Sequence, residues 1–93
     1  MRTIEWTGRF KRDYKREKKG PHRTTLDAEL TAIITLLQTD RPLPEKLRDH
    51  ALGNEWKDCR DCHVRPDLVL IYRKPDDETL QLIRLGSHSE LSL

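Results

Sequence analysis

Three of this chain's four histidines, His50, His63 and His88, fall in its C-terminal half, and Asp67 follows His63 by four residues. Imidazole is the side chain whose ordinary pKa lets it give or take a proton near neutrality. Several imidazoles with a carboxylate suit general acid–base catalysis. Arg84, four residues before His88, adds a guanidinium fork that fits a phosphate or the charge of a transition state. The other end of the chain points to the substrate. Residues 1–23 hold nine Lys or Arg against three Asp or Glu, and the remainder holds nine against thirteen. The net charge of +2 therefore conceals a basic N-terminal quarter, as expected of a surface that meets phosphate. Acid–base groups joined to a basic arm indicate an enzyme acting on a polyanion such as RNA. Against this stand a solvated helix face and scattered surface histidines, the commoner explanations of any one such feature, and a non-catalytic RNA-binding module, which would account for the basic arm alone. His22, beside Gly20-Pro21, is read as a surface histidine of a turn.

The elements that must position these groups follow from patterning. Ninety-three residues with 34% hydrophobic and 37% charged content make one small domain, 1–93, with a compact core. The five aromatics, Trp6, Phe10, Tyr14, Trp56 and Tyr72, are each expected to pack a large share of it. Arg2 to Trp6 reads as a short strand. Thr7 can cap a helix from Gly8 to about Lys19, stopped by Gly20-Pro21. Phe10 and Tyr14 share one of its faces, leaving Arg9, Arg12, Lys15, Arg16 and Lys19 exposed for RNA phosphates. A second helix carries Leu26, Leu30, Ile33, Ile34 and Leu37 as one apolar stripe, with Thr24 and Asp27 as a weak capping box. Strand-like runs follow at Trp56–His63, Leu68–Arg73 and Thr79–Gly86, separated by turns at Arg65-Pro66 and Pro75 to Glu78. Strands this close pair antiparallel. The expected architecture is α+β: a short N-terminal strand, two helices, then an antiparallel sheet. His50, in the loop before these strands, and His63, Asp67 and His88, at strand ends, can then meet at one rim. Arg84 and His88 are expected on one face.

Two other chemistries are weaker. Cys59-Arg60-Asp61-Cys62-His63 matches the haem-attachment pattern, but residues 59 and 62 of a strand point to opposite faces, which also opposes a shared zinc. No apolar run approaches a membrane span and no signal-peptide core is visible. A cytoplasmic chain with reduced cysteines is expected. A His and Asp metal site is the main rival to acid–base work, but no closely spaced histidine pair supports it. No metal or other cofactor is expected.

The run Asp49-His50-Ala51-Leu52, Trp56-Lys57, Arg60-Asp61-x-His63-Val64-x-Pro66-Asp67-Leu68-x-Leu70-Ile71-Tyr72, with Arg84-x-Gly86-Ser87-His88 at the end, closely resembles the YafQ branch of the RelE-like bacterial toxins. The resemblance covers essentially the whole chain. It implies a RelE-like, microbial ribonuclease-type fold and a type II toxin held inactive by a cognate antitoxin. It further implies a ribosome-dependent endoribonuclease (mRNA interferase) that cuts mRNA in the ribosomal A site without metal and inhibits translation. The functional residues it implies are His50, His63, Asp67 and His88, with Arg84 near the last. Leu68 and Ser92 stand where close relatives carry aromatics. Aromatic faces stack on RNA bases, so both departures bear on codon preference.

Overall fold

Leu68–Arg73 is apolar at every position from Leu68 to Ile71 and ends in Tyr72-Arg73. Such a strand must be covered on both faces. In the computed structural model, which describes residues 1–93, it lies at the centre of a five-stranded sheet. The elements are β1 (Thr3–Trp6), α1 (Gly8–Glu17), α2 (Leu26–Gln38), β2 (His50–Ala51), β3 (Arg60–Arg65), β4 (Leu68–Arg73) and β5 (Thr79–Gly86). The sheet order is β1-β5-β4-β3-β2. Leu68, Leu70 and Tyr72 face the main core with Cys62, Val64, Leu80, Leu82 and Leu85, beneath Phe10 of α1 and the α2 stripe. Val69 and Ile71 face a smaller cluster with Cys59 and Leu91. Cys59 and Cys62 thus lie on opposite faces, free and buried. Burial pushes the Cys62 thiol pKa up to about 12. No helix is long and apolar enough to cross a membrane.

Several expectations change. The sheet is mixed, because β1 pairs parallel with β5 while β2 to β5 pair antiparallel. Short turns reverse β3, β4 and β5, whereas most of the chain separates β1 from its neighbour, so no turn dictates its direction. β3 starts at Arg60 because Asn54–Trp56 forms a 3-10 turn, with positive φ at its first residue, Asn54, and at Asp58 beyond it. α1 ends at Glu17, two residues early. The Thr24–Asp27 capping box does not form; Thr25 occupies the cap position without a side-chain bond. Asp27 instead accepts from the Tyr14 hydroxyl and, at 3.0 Å, from Lys18 Nζ. Trp6 is 47% exposed, its ring 5.8 Å from that of Phe10. Leu68 is 1% exposed, so its side chain belongs to the core and presents no surface to a base.

The junction of α1 with β5 fixes the end of the sheet nearest His88. Thr7 caps α1 by accepting from Phe10 N at 3.3 Å, and its hydroxyl donates to Leu82 O at 2.7 Å. β1 ends opposite Leu82, which leaves the β5 edge beyond it without a strand partner. Two side chains of α1 replace that partner. Asp13 accepts from Leu85 N at 2.9 Å, and Arg16 Nη2 donates to Leu85 O at 2.8 Å. Asp13 is 4% exposed and also takes Arg84 Nε at 2.7 Å and Arg16 Nη1 at 3.1 Å. Burial alone would raise the Asp13 pKa. Hydrogen bonds from Arg84 and the Leu85 amide, with the charges of Arg84 and Arg16, outweigh it and hold the carboxyl below its ordinary value.

Candidate active site

β2 is only two residues long, and its pairing sets His50 opposite Asp61 of β3. Alternation puts Asp61 and His63 on one face. It is the face that the helices leave uncovered, since Cys62 and Val64 point into the helix-packed core. His88 arrives from β5 through Gly86-Ser87 and sits on a C-terminal turn. Leu91, 1% exposed, anchors that turn in the small cluster. Reciprocal bonds also brace it: Ser87 N to Glu90 Oε1 at 2.9 Å and Glu90 N to Ser87 Oγ at 3.2 Å.

The three histidines expected to meet do so, lining one cleft of about 780 Å³ with Lys46, Arg48 and Arg65. His63 Nε2 and His88 Nε2 are 3.1 Å apart, with ring centroids separated by 5.0 Å. At that distance one nitrogen donates and the other accepts, so the pair shares a proton. His50 Nδ1 lies 2.8 Å from Arg48 O and 2.9 Å from Asp61 Oδ1. Both neighbours only accept, so Nδ1 carries hydrogen, and in the neutral ring Nε2 keeps its lone pair. The bond is directed at the Arg48 carbonyl, and Asp61 Oδ1 makes no hydrogen bond of its own. Its contact with His50 becomes one of charge when that ring gains a proton. His63 Nδ1 is likewise buried without a partner. Asp61 is 2% exposed. Burial raises its pKa, opposed by the charges of His50, His63 and His88 and reinforced by Asp49. Asp49, just before His50, is itself fixed by the Tyr72 hydroxyl at 2.5 Å and by Arg60 at 3.3 Å.

Two expected members stand elsewhere. Asp67 does not line the histidine cleft. It lies in an adjoining polar groove, with both carboxylate oxygens 3.1 Å from His22 Nε2. The reason is geometric: the β3–β4 turn carries Asp67 past the end of the sheet toward the turn between the helices. Arg84 does not reach the cleft either, because a guanidinium only 15% exposed needs a counter-charge and Asp13 supplies it. The basic helix also divides. Arg9, Arg12, Lys15 and Lys19 are exposed and enter no ion pair in the fold. Arg16 is bound to Asp13, Glu17 and Glu90.

Sequence reading missed charged residues in and beneath this cleft. Asp61 lies beneath the histidines, and its two-residue spacing from His63 was the available signal. Lys46 and Arg48 bring exposed cations to the cleft; nothing but their closeness to His50 marked them out.

Known proteins resemble this chain over nearly its whole length. Residues 2–93 match the family model described as the bacterial toxin of type II toxin–antitoxin systems, YafQ. The mRNA interferase toxin YafQ of Escherichia coli strain B is 41% identical over 92 residues, covering 98% of this chain and 96% of that protein. The E. coli DinJ–YafQ complex contains a chain of similar fold, with TM-score 0.82 and 39% identity over 98% of each chain. A copper-bound mutant toxin from Helicobacter pylori superposes with TM-score 0.89 at 37% identity, over 98% of this chain and 99% of that one. The RelE-like α+β fold and the match over nearly the whole chain place it in the YafQ family of toxins of bacterial type II toxin–antitoxin systems.

Proposed function

We propose that the protein is an endoribonuclease that cleaves mRNA in the ribosomal A site by metal-independent acid–base catalysis, with His50, His63 and His88 as its working groups. The observation that carries this reading is the proton-sharing His63–His88 contact in a cleft that also holds His50. His50 Nε2 takes the proton of a ribose 2′-OH, whose oxygen attacks the adjacent phosphorus. The bond from phosphorus to the 5′ oxygen breaks, and that oxygen takes a proton from His88. The products are a 2′,3′-cyclic phosphate and a 5′-hydroxyl. His63 replenishes the proton of His88, and the buried Asp61 carboxylate lies 2.9 Å from His50 Nδ1, facing the charge that this ring gains as it takes the proton. Lys46 and Arg48 steady the charged phosphorane, the role first expected of Arg84. Asp67 meets the RNA at the lip of the cleft. A cognate antitoxin holds the toxin inactive in the cytoplasm, in keeping with the E. coli relative found with DinJ.

Two imidazole nitrogens 3.1 Å apart also suit a transition metal, and a relative has been found with copper. A single assay separates the two readings. With ribosome-bound message, a 2′-deoxy sugar at the cleaved nucleotide is expected to abolish cutting, while a chelator leaves the rate on the all-ribose message unchanged. Cleavage of the deoxy message, or loss of activity to the chelator, would instead support metal-assisted hydrolysis.

The free cations of α1 and of the turn that follows it serve ribosomal RNA. Each phosphate that is neutralised contributes about 0.7–0.9 to the slope of log affinity against log salt. Charge reversal at Arg12, Lys15 and Lys19 is expected to flatten that slope by roughly this amount for each phosphate no longer held, and to leave the cleaved codon unchanged. An unaltered salt dependence would exclude the helix from the interface. Arg16 is left out of the set because its reversal would unfasten β5.

A further inference from the structure

Asp67 owes its place to His22. That histidine lies in the turn between α1 and α2, its side chain only 18% exposed, and it meets both oxygens of the carboxylate at 3.1 Å. Carboxylate oxygens only accept, so Nε2 is the protonated nitrogen, and a bond shared by both oxygens sets the plane of the carboxylate as well as its position. This hydrogen bond is also the main cause of an Asp67 pKa below its ordinary value. The turn does not depend on it. The backbone already closes the turn, through Gly20 N to Glu17 O at 3.0 Å and Thr25 N and Leu26 N to His22 O at 3.1 and 3.0 Å. The His22 ring thus serves Asp67 and no structural bond of its own element.

The groove holding this pair has a volume of about 340 Å³; Arg16, Glu17, Ser87 and Glu90, with Gly20 and Pro21 of the turn, complete its wall. It adjoins the histidine cleft at two points. Asp67 follows Pro66 and Ser87 precedes His88, and both Pro66 and His88 line the cleft. An RNA strand whose scissile phosphate lies among the histidines therefore passes this lip. A carboxylate there repels phosphate, so the groups it can meet are donors: a ribose hydroxyl or the amino group of a base.

We propose that His22 is a positioning residue of the cleavage reaction, holding the Asp67 carboxylate in a fixed plane at the shared lip to accept a hydrogen bond from a sugar or base of the message. The proposal rests on the histidine-cleft reading above. An acceptor fixed before the substrate arrives needs no reorganisation during reaction.

The test uses His22→Ala, His22→Gln, Asp67→Ala and the His22→Ala/Asp67→Ala double variant, with single-turnover cleavage of ribosome-bound message and thermal melting as readouts. Glutamine can place an amide nitrogen where the imidazole Nε2 stands. His22→Ala is expected to lower kcat/KM about tenfold, the kinetic equivalent of one hydrogen bond to a charged group. His22→Gln restores most of that loss, and the loss vanishes in the Asp67→Ala background, with melting unchanged throughout. A wild-type rate for His22→Ala, or an equal loss when Asp67 is already absent, overturns the proposal. His88→Ala serves as the control. If it is inactive while His22→Ala is normal, only the positioning role fails. If His88→Ala cuts normally, the cleft reading fails and this role with it.

Discussion

Replacing His88 by alanine is expected to slow message cleavage by about 10²–10⁴-fold, the contribution of a positioned general acid or base, and to abolish growth arrest on expression. The fold should not change. His88 is exposed, its ring touches His63, and the bond from Leu93 N to its carbonyl at 2.9 Å survives any side chain. Surface substitutions of this kind move stability by no more than about 0.5 kcal/mol. His50→Ala should lose activity to a similar degree, because it removes the one imidazole whose tautomer leaves Nε2 free to accept. The double variant should be little worse than either single one, since base and acid act in one step. The measurement is single-turnover cleavage with end-group analysis, alongside denaturation and antitoxin binding. Normal cutting by His88→Ala would remove the acid from the mechanism. A folded His50 variant with full activity would remove the base.

Asp13→Ala is expected to cost about 3–5 kcal/mol, the usual penalty for removing one partner of a buried ion pair. That is a large share of the roughly 5–15 kcal/mol by which domains are stable. The substitution strands the Arg84 guanidinium, takes away one of the three carboxylates around Arg16, and leaves the Leu85 amide without its acceptor. Asp13→Asn keeps an acceptor and should lose less. The effect depends on pH in a defined direction. The folded carboxyl titrates below its ordinary value, and an unfolded aspartate titrates near 3.9. The ionised form therefore stabilises the fold above about pH 4, and that stabilisation disappears as the pH falls toward the folded-state pKa. Urea midpoints at neutral and acid pH check this. They should show a large gap between wild type and Asp13→Ala at neutral pH that narrows in acid. A gap of the same size at both pH values would mean that the loss is one of packing and not of charge.

Asp13 also bears on activity, because the segment it fastens delivers His88. β5 ends at Gly86, immediately beyond the Leu85 backbone groups that Asp13 and Arg16 satisfy. Loosening that end moves the acid relative to its partner His63. Such displacements are expensive for catalysis even when the fold survives. Asp13→Asn is thus the variant in which activity can fall further than stability.

The sequence by itself determined the parts whose signals are local. The α2 stripe, the Thr7 cap, the unbroken apolar run of β4 and the bounds of β4 and β5 all depend on neighbours a few residues apart. The histidine triplet was legible too, because residue type and the resemblance pointed to the same positions. What the tertiary structure decided are the pairings between residues distant in the chain. The parallel contact of β1 with β5, the binding of Arg84 by Asp13, the seat of Asp61 beneath the histidines and the turn of Asp67 toward His22 each join groups eleven or more residues apart. A basic residue reads alike in sequence whether it faces water or a buried carboxylate, as Arg16 and Lys15 show. Only folding reveals the difference, because a charge withdrawn from water must find a partner, and which partner is in reach depends on how the elements pack.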